Sequence, residues 1–181
     1  AKQGLSIIGG YLYLIACFYF GLIFFGVVIL GLICFSLKIP FFKLLSHVKE
    51  PMLLAFSTAS SESAFPKTVE ALEKYGCSNR IISFVLPLGY SFNLDGSIMY
   101  MTFATVFIAQ AYGIDLSLQQ EITMMLMLLV TSKGMAGVPR ASLVVIAGML
   151  SAFNIPEAGL LLLLGIDQLL DMGRSATNVV G

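Results

Sequence analysis

The sequence predicts an all-α integral membrane protein. It is expected to hold one spanning helix followed by two inverted repeats, each a re-entrant helical hairpin plus a broken or polar spanning helix. Three observations predict this: the scarcity of charge, the lengths of the apolar segments, and the division of basic residues between the connecting stretches.

Of 181 residues, 58% are hydrophobic and only 11% are charged, and the mean hydropathy is +0.94. A soluble domain carries about a quarter of its residues as Asp, Glu, Lys or Arg. Less than half that share is too little to solvate a globule, so the expected surroundings are a lipid bilayer. The formal net charge of zero and the lack of a basic run argue against a nucleic-acid partner. Cys17, Cys34 and Cys77 lie far apart without metal-ligand spacing and read as free thiols. His47, the single histidine, sits between Lys43 and Lys49 and reads as a solvated side chain at a membrane surface.

Crossing roughly 30 Å of hydrocarbon takes about 20 apolar residues in a helix. Residues 8–37 suffice, as do 81–112, which carry a polar island, and 158–181, whose second half is polar. Residues 40–79 and 119–153 divide differently, into pairs of short arms meeting at tips rich in Ser, Gly and Pro. At about 1.5 Å per residue such arms reach only half way across, which is the pattern of a re-entrant hairpin. The stretches beside the first hairpin hold Lys38, Lys43, Lys49, Lys67, Lys74 and Arg80, whereas those beside the second hold Asp115, Glu121 and Glu157. By the positive-inside rule the first hairpin opens from the cytoplasm and the second from outside, with Lys2 as an exception. The chain begins without Met and stops at Val179-Val180-Gly181, so it is expected to be a segment of a longer protein that ends inside its last helix.

Inverted repeats with broken helices are a transporter plan, because non-helical backbone at mid-membrane persists only where protein or a wet cavity satisfies it. Three polar clusters are expected to meet there. The first, Ser57-Thr58-Ala59-Ser60-Ser61-Glu62-Ser63, supplies five hydroxyls. One or two of these serve as an N-cap for an arm beginning at Pro66, and the others are expected to face a ligand. The second, Ser91-Phe92-Asn93-Leu94-Asp95-Gly96-Ser97, places an aspartate inside a spanning helix, at an insertion cost of roughly 3 kcal/mol. Gly96 is expected to let the backbone unwind, so that carbonyls join Asn93 and Asp95 around a hard cation such as Na⁺. The alternative for this cluster is polar helix packing.

The third cluster is Asp167, Asp171, Arg174, Ser175 and Asn178, whose spacing is one face of a helix. Asp171 and Arg174 either pair with each other or face a solute. In the second case the guanidinium fork suits a carboxylate and Asp171 an ammonium, together a pocket for an acidic amino acid. The second tip, residues 134–142, would add main-chain N–H groups for the other carboxylate, and its Lys133 and Arg140 make the local potential more positive.

At these residues the sequence resembles the glutamate/aspartate transporter family, the dicarboxylate/amino acid:cation symporters. Besides the first tip with Phe65-Pro66, the motifs are Asn93-Leu94-Asp95-Gly96-Ser97, Ser132-Lys133-Gly134-Met135-Ala136-Gly137-Val138-Pro139 and Asp171-Met172-Gly173-Arg174-Ser175-Ala176-Thr177-Asn178. The resemblance implies the core of a glutamate-transporter-like, elevator-type carrier, a homotrimer in the inner (plasma) membrane, working without a cofactor and coupled to Na⁺ or H⁺. It implies that Arg174 binds the side-chain carboxylate of the substrate and Asp171 its amino group. Ser97, Ser175 and Asn178, with main-chain groups near Ser61 and Val138, would add hydrogen bonds. Cations would be held at Asn93 and Asp95 with the backbone near Gly89 and Ser91, at carbonyls of Ser132, Lys133 and Met135, and near Asn178. The second hairpin would be the outer gate.

Ala59 stands where some relatives carry Arg, and Ser97 and Ser175 stand where sodium-coupled members carry Thr. Glu62, Lys133 and Arg140 resemble the bacterial proton-coupled branch, which makes Glu62 a candidate proton carrier. A C4-dicarboxylate carrier of the same family is the nearest alternative, and it needs no ammonium partner such as Asp171. A remote alternative is an intramembrane aspartyl protease using Asp95 and Asp171, although Arg174 beside Asp171 opposes a shared proton. A channel is disfavoured because the two tips block its middle.

Overall fold

The computed structural model describes residues 2–133, 135 and 140–181, and these are helical apart from short connections. The first helix runs as α1 (Lys2–Phe24), a π-helical turn (Phe25–Ile29) and α2 (Leu30–Ser36). Leu14, Phe18 and Leu22, spaced by four, form the buried stripe of α1. Its other faces expose Leu12, Phe20, Ile23 and Phe24, as suits a helix among lipid or further helices. Among the described residues, Ile8–Ser36 and Asn79–Ala111 are the two helical stretches long and apolar enough to cross a membrane.

A helical hairpin follows, α3 (Phe41–Thr58) and α4 (Ser61–Tyr75), whose arms pack along each other. Ala59 turns the corner in the left-handed region (φ 51°), and Ser60 caps α4 by accepting from the Ser63 amide at 3.4 Å. The arm therefore begins five residues before Pro66, where the sequence reading had put its start. A serine with free acceptor geometry outweighs the preference of proline for a first turn.

The next stretch is broken, as α5 (Asn79–Phe92) and α6 (Asp95–Ala111) are separated by Asn93 and Leu94 with ψ of 78° and 50°. Gly96 is not the hinge that the sequence suggested. It lies inside the first turn of α6, where a Cβ would collide with the carbonyl oxygen of Arg174. Its missing side chain lets two helices touch, a packing role rather than an unwinding one.

α7 (Leu118–Thr131) and α8 (Ala141–Ala152) form the second helical pair, with the residues of its tip at 134 and 136–139 outside those described. A capping box at Ser117 and Gln120 starts α7. A single spanning helix was expected over 158–181. Instead a 3₁₀ turn (Glu157–Gly159), α9 (Leu160–Leu163) and α10 (Asp167–Val180) appear, with a break at residues 164–166. Gly165 weakens that turn, and the break lets Asp167 open α10 fully buried. α10 is the centre of the molecule: it packs against α3, α6, α1 and α4. Ala55 and Ala64 of the first hairpin close on Val179, small residues that let the helices approach.

Candidate functional site

The polar face of α10 meets the start of α6. Asp167, Asp171, Arg174 and Ser175 are all buried, because the residues that recur along that face turn inward together. Arg174 is completely enclosed, and its Nε donates to Asp171 Oδ1. Its Nη1 donates to Ser97 Oγ at 3.1 Å, and Asn178 Nδ2 donates to the same oxygen at 2.8 Å. The Ser97 amide returns a bond to Asn178 Oδ1 at 3.2 Å. The start of α8 reaches the site through Arg140, whose main-chain N–H donates to Asp171 Oδ2 at 3.0 Å. The Arg140 Nε lies 3.5 Å from Asp167 Oδ2, and Tyr100 donates its hydroxyl to Asp167 Oδ1.

Of the expected substrate ligands, the structure thus gathers Ser97, Asp171, Arg174, Ser175 and Asn178 where α6 meets α10. Val138 falls outside the described residues. Arg174 Nη2 and Ser175 Oγ are buried with no hydrogen-bond partner among the described residues. A buried guanidinium N–H without an acceptor is costly, and a carboxylate with two oxygens is the natural complement to such a fork. Asp171 is not waiting free for an ammonium, since Arg174 and Arg140 engage its two oxygens. Two cations and two anions alternate here, so the cluster is close to neutral without a ligand.

The first tip contributes less than its composition promised. Ser57 and Thr58 donate to the Leu54 carbonyl, Ser63 donates to the Ser60 carbonyl, and Thr58 and Ser63 bond each other at 2.6 Å. These hydroxyls hold the turn. Ser60 and Ser61 at the start of α4 are buried, 8% and 3% exposed, whereas Glu62 next to them is exposed.

Of the expected cation ligands, Gly89, Asn93, Asp95 and Asn178 lie at the break between α5 and α6. Asp95 opens α6, and its Oδ2 and the Asn93 Nδ2 crowd the open side of Gly181, where a Cβ would lie 2.8 and 3.2 Å away. Gly89, Asn93 and Asn178 share the wall of a cavity of about 350 Å³ with Thr68, Tyr90 and Gly181. Ser91 lies on the exposed side, its hydroxyl bonded to the Pro87 carbonyl at 3.1 Å. Ser132 is buried, and Met135 donates its amide to the Ser132 carbonyl at 3.2 Å. Lys133 Nζ donates to the carbonyl of Phe92, the last residue of α5, which joins the second hairpin to the break. Among the described residues no three His, Cys, Asp or Glu side chains come together as a metal centre. At the break the Phe92 carbonyl is taken by Lys133 and the Gly89 carbonyl by the Asn93 amide, while the Asn93 and Asp95 side chains stand beside Gly181.

Sequence reasoning missed Tyr100 and assigned no partner to Asp167. A signal was present: Ser97 and Tyr100 are three apart and so share a face of α6. The protease alternative requires Asp95 and Asp171 to share a proton, whereas the bonds of Asp171 run to Arg174 and Arg140.

Comparisons with known proteins place the chain in a family. The family model described as the sodium:dicarboxylate symporter family matches residues 1–181. The proton/sodium-glutamate symport protein of Bacillus subtilis is 46% identical over 168 residues, 93% of this chain and 39% of that protein. The proton/glutamate-aspartate symporter of Escherichia coli is 49% identical over 168 residues, 93% of this chain and 38% of the relative. The C4-dicarboxylate transport protein of Sphingopyxis alaskensis is 45% identical over 181 residues, 99% of this chain and 41% of the relative. The chain spans about two fifths of the length of these curated relatives. With a matching profile along its whole length and a buried arginine-carboxylate site on its last helix, this chain belongs to the sodium:dicarboxylate symporter family.

Proposed function

We propose that this chain is the solute- and ion-binding part of a secondary active symporter that carries acidic amino acids, glutamate or aspartate, with Na⁺, H⁺ or both. The observation that carries the reading is Arg174: fully buried, with an Nη2 that finds no acceptor among the described residues. The side-chain carboxylate of the substrate takes that fork and releases Asp171 from Arg174, so that Asp171 can accept the substrate ammonium. Ser97, Ser175 and Asn178 add hydrogen bonds, and main-chain groups near Ser61 and Val138 receive the second carboxylate. Cations sit at Asn93 and Asp95 beside the broken helix and at the carbonyls of Ser132, Lys133 and Met135.

In this reading residues 40–79 and 119–153 are re-entrant hairpins, and residues 8–37, 81–112 and 158–181 cross the bilayer. The whole protein is a homotrimer in the inner membrane that moves its transport domain as an elevator, with the second hairpin as outer gate. Glu62, exposed at the first turn of α4, is the candidate proton carrier.

The test is counterflow of labelled aspartate by the whole protein in proteoliposomes, with Na⁺ and pH varied separately. Uptake that unlabelled aspartate or glutamate suppresses, and succinate does not, is expected. Counterflow of labelled succinate without counterflow of labelled aspartate assigns the protein to the C4-dicarboxylate branch, and transport of neither solute ends the proposal.

A further inference from the structure

We infer that Arg140, seated on the buried Asp167–Tyr100 pair, latches the start of α8 onto α10 in the substrate-free carrier and thereby governs the return of the empty carrier. The inference rests on the alternating-access reading above. Asp167 is fully buried, and Tyr100, also fully buried, fixes its Oδ1 with a hydroxyl bond. The other oxygen, Oδ2, has no hydrogen bond among the described residues, and the Arg140 Nε lies 3.5 Å from it. Arg140 is the one cation in ion-pair reach of this enclosed carboxylate among the described residues, with Arg174 acting from further off, so the carboxylate depends strongly on Arg140. The Arg140 side chain is itself 59% exposed, so it reaches in from the rim and can leave without opening a cavity.

The backbone points the same way. Arg140 has φ 66°, a left-handed conformation unfavourable for a non-glycine residue. In that conformation its N–H meets Asp171 Oδ2. One residue thus grips α10 at two carboxylates one helical turn apart, by its side chain at Asp167 and by its main chain at Asp171. Asp171 in turn holds Arg174. The series Tyr100, Asp167, Arg140, Asp171, Arg174 alternates in charge and is near neutral without a solute, leaving only Arg174 Nη2 at its inner end to meet a substrate acceptor. A substrate ammonium that replaces Arg174 at Asp171 Oδ1 draws on the same carboxylate that holds the Arg140 N–H at Oδ2, so the latch is tightest in the empty state. It stabilises a closed, near-neutral core at the step where nothing is bound.

Two fluxes separate this from a structural role. Net uptake of aspartate down an imposed gradient requires the empty carrier to return, whereas exchange of labelled for unlabelled aspartate does not. In proteoliposomes holding the whole protein, Arg140→Gln and Asp167→Asn are each expected to lower the ratio of net uptake to exchange by about tenfold, equivalent to 1.4 kcal/mol. The double variant is expected to lose no more than either single one, because both changes break the same pair. Tyr100→Phe is expected to shift the ratio in the same direction by less. An unchanged ratio, a parallel loss of both fluxes in the exposed-site variant Arg140→Gln, or additive losses in the double variant overturn the latch. Absence of exchange in the unaltered protein overturns the transport reading itself, and the latch with it.

Discussion

Arg174 and Asp171 are joined on the same helix, guanidinium Nε to carboxylate Oδ1, with both side chains 0% exposed. Neither charge reaches solvent, so each depends on the other and on the few polar groups around them. An ion pair of this kind is weak evidence for net stability, but removing one partner strands the other.

Arg174→Cys is therefore expected to cost about 3 kcal/mol or more of stability in addition to abolishing transport of acidic solutes. Adding Asp171→Asn removes the stranded charge and is expected to recover much of the unfolding midpoint in detergent while transport stays absent. Retained aspartate uptake in Arg174→Cys would contradict the assigned substrate site. An unchanged midpoint in that variant would show that the pair contributes nothing to the fold.

The contact between α6 and α10 gives a second prediction. A Cβ at Gly96 meets the Arg174 carbonyl oxygen and lies 3.0 Å from Thr177 Cβ, and the first of these is backbone that cannot rotate away. Gly96→Ala is expected to separate the helices and cost about 1–3 kcal/mol, the usual range for an overfilled core. Thermal unfolding of the purified protein checks it. A variant as stable as the parent would mean that the two helices are not in close contact.

The polar face of α10 was legible because residues 167, 171, 174, 175 and 178 repeat at the period of a helix, and such a face turns inward as one. The break before it was hidden, since Leu160 to Leu164 is an unbroken leucine run in which only Gly165 hints at a weak turn. Pro66 misplaced the start of α4, because a proline marks where a helix tolerates a missing N–H, not where a cap exists. The partners of Asp167 were out of reach for a different reason. Tyr100 and Asp167 are 67 residues apart, and local periodicity orients each residue on its own helix without stating which helices meet. The serines of the first tip misled in the opposite direction: their number suggested a ligand, and the turn itself uses most of them.

That use of serine makes the third prediction. Ser60 is the N-cap of α4, and its side chain accepts from the Ser63 amide. Ser60→Ala is expected to lower stability by about 1 kcal/mol, read as a lower unfolding midpoint, with faster amide hydrogen exchange confined to the first turn of α4. Exchange that stays unchanged there would show that the cap does not hold that turn.

Ser97 provides the most discriminating case. One hydroxyl oxygen accepts from Arg174 Nη1 and from Asn178 Nδ2, so it sets the position of both side chains relative to α6. Ser97→Ala deprives the enclosed Arg174 donor and the partly buried Asn178 donor of their acceptor, at an expected cost of about 1–3 kcal/mol in stability. The aspartate KM is expected to rise by about tenfold, because the guanidinium loses the contact that orients its fork. Ser97→Thr keeps the hydroxyl and adds a methyl group at a fully buried position. It is therefore expected to lose some stability through overfilling while holding the KM close to that of the parent. The two variants thus separate packing from orientation: if both raise the KM equally, the site responds to volume at this position and not to the hydroxyl, and Ser97 does not orient Arg174.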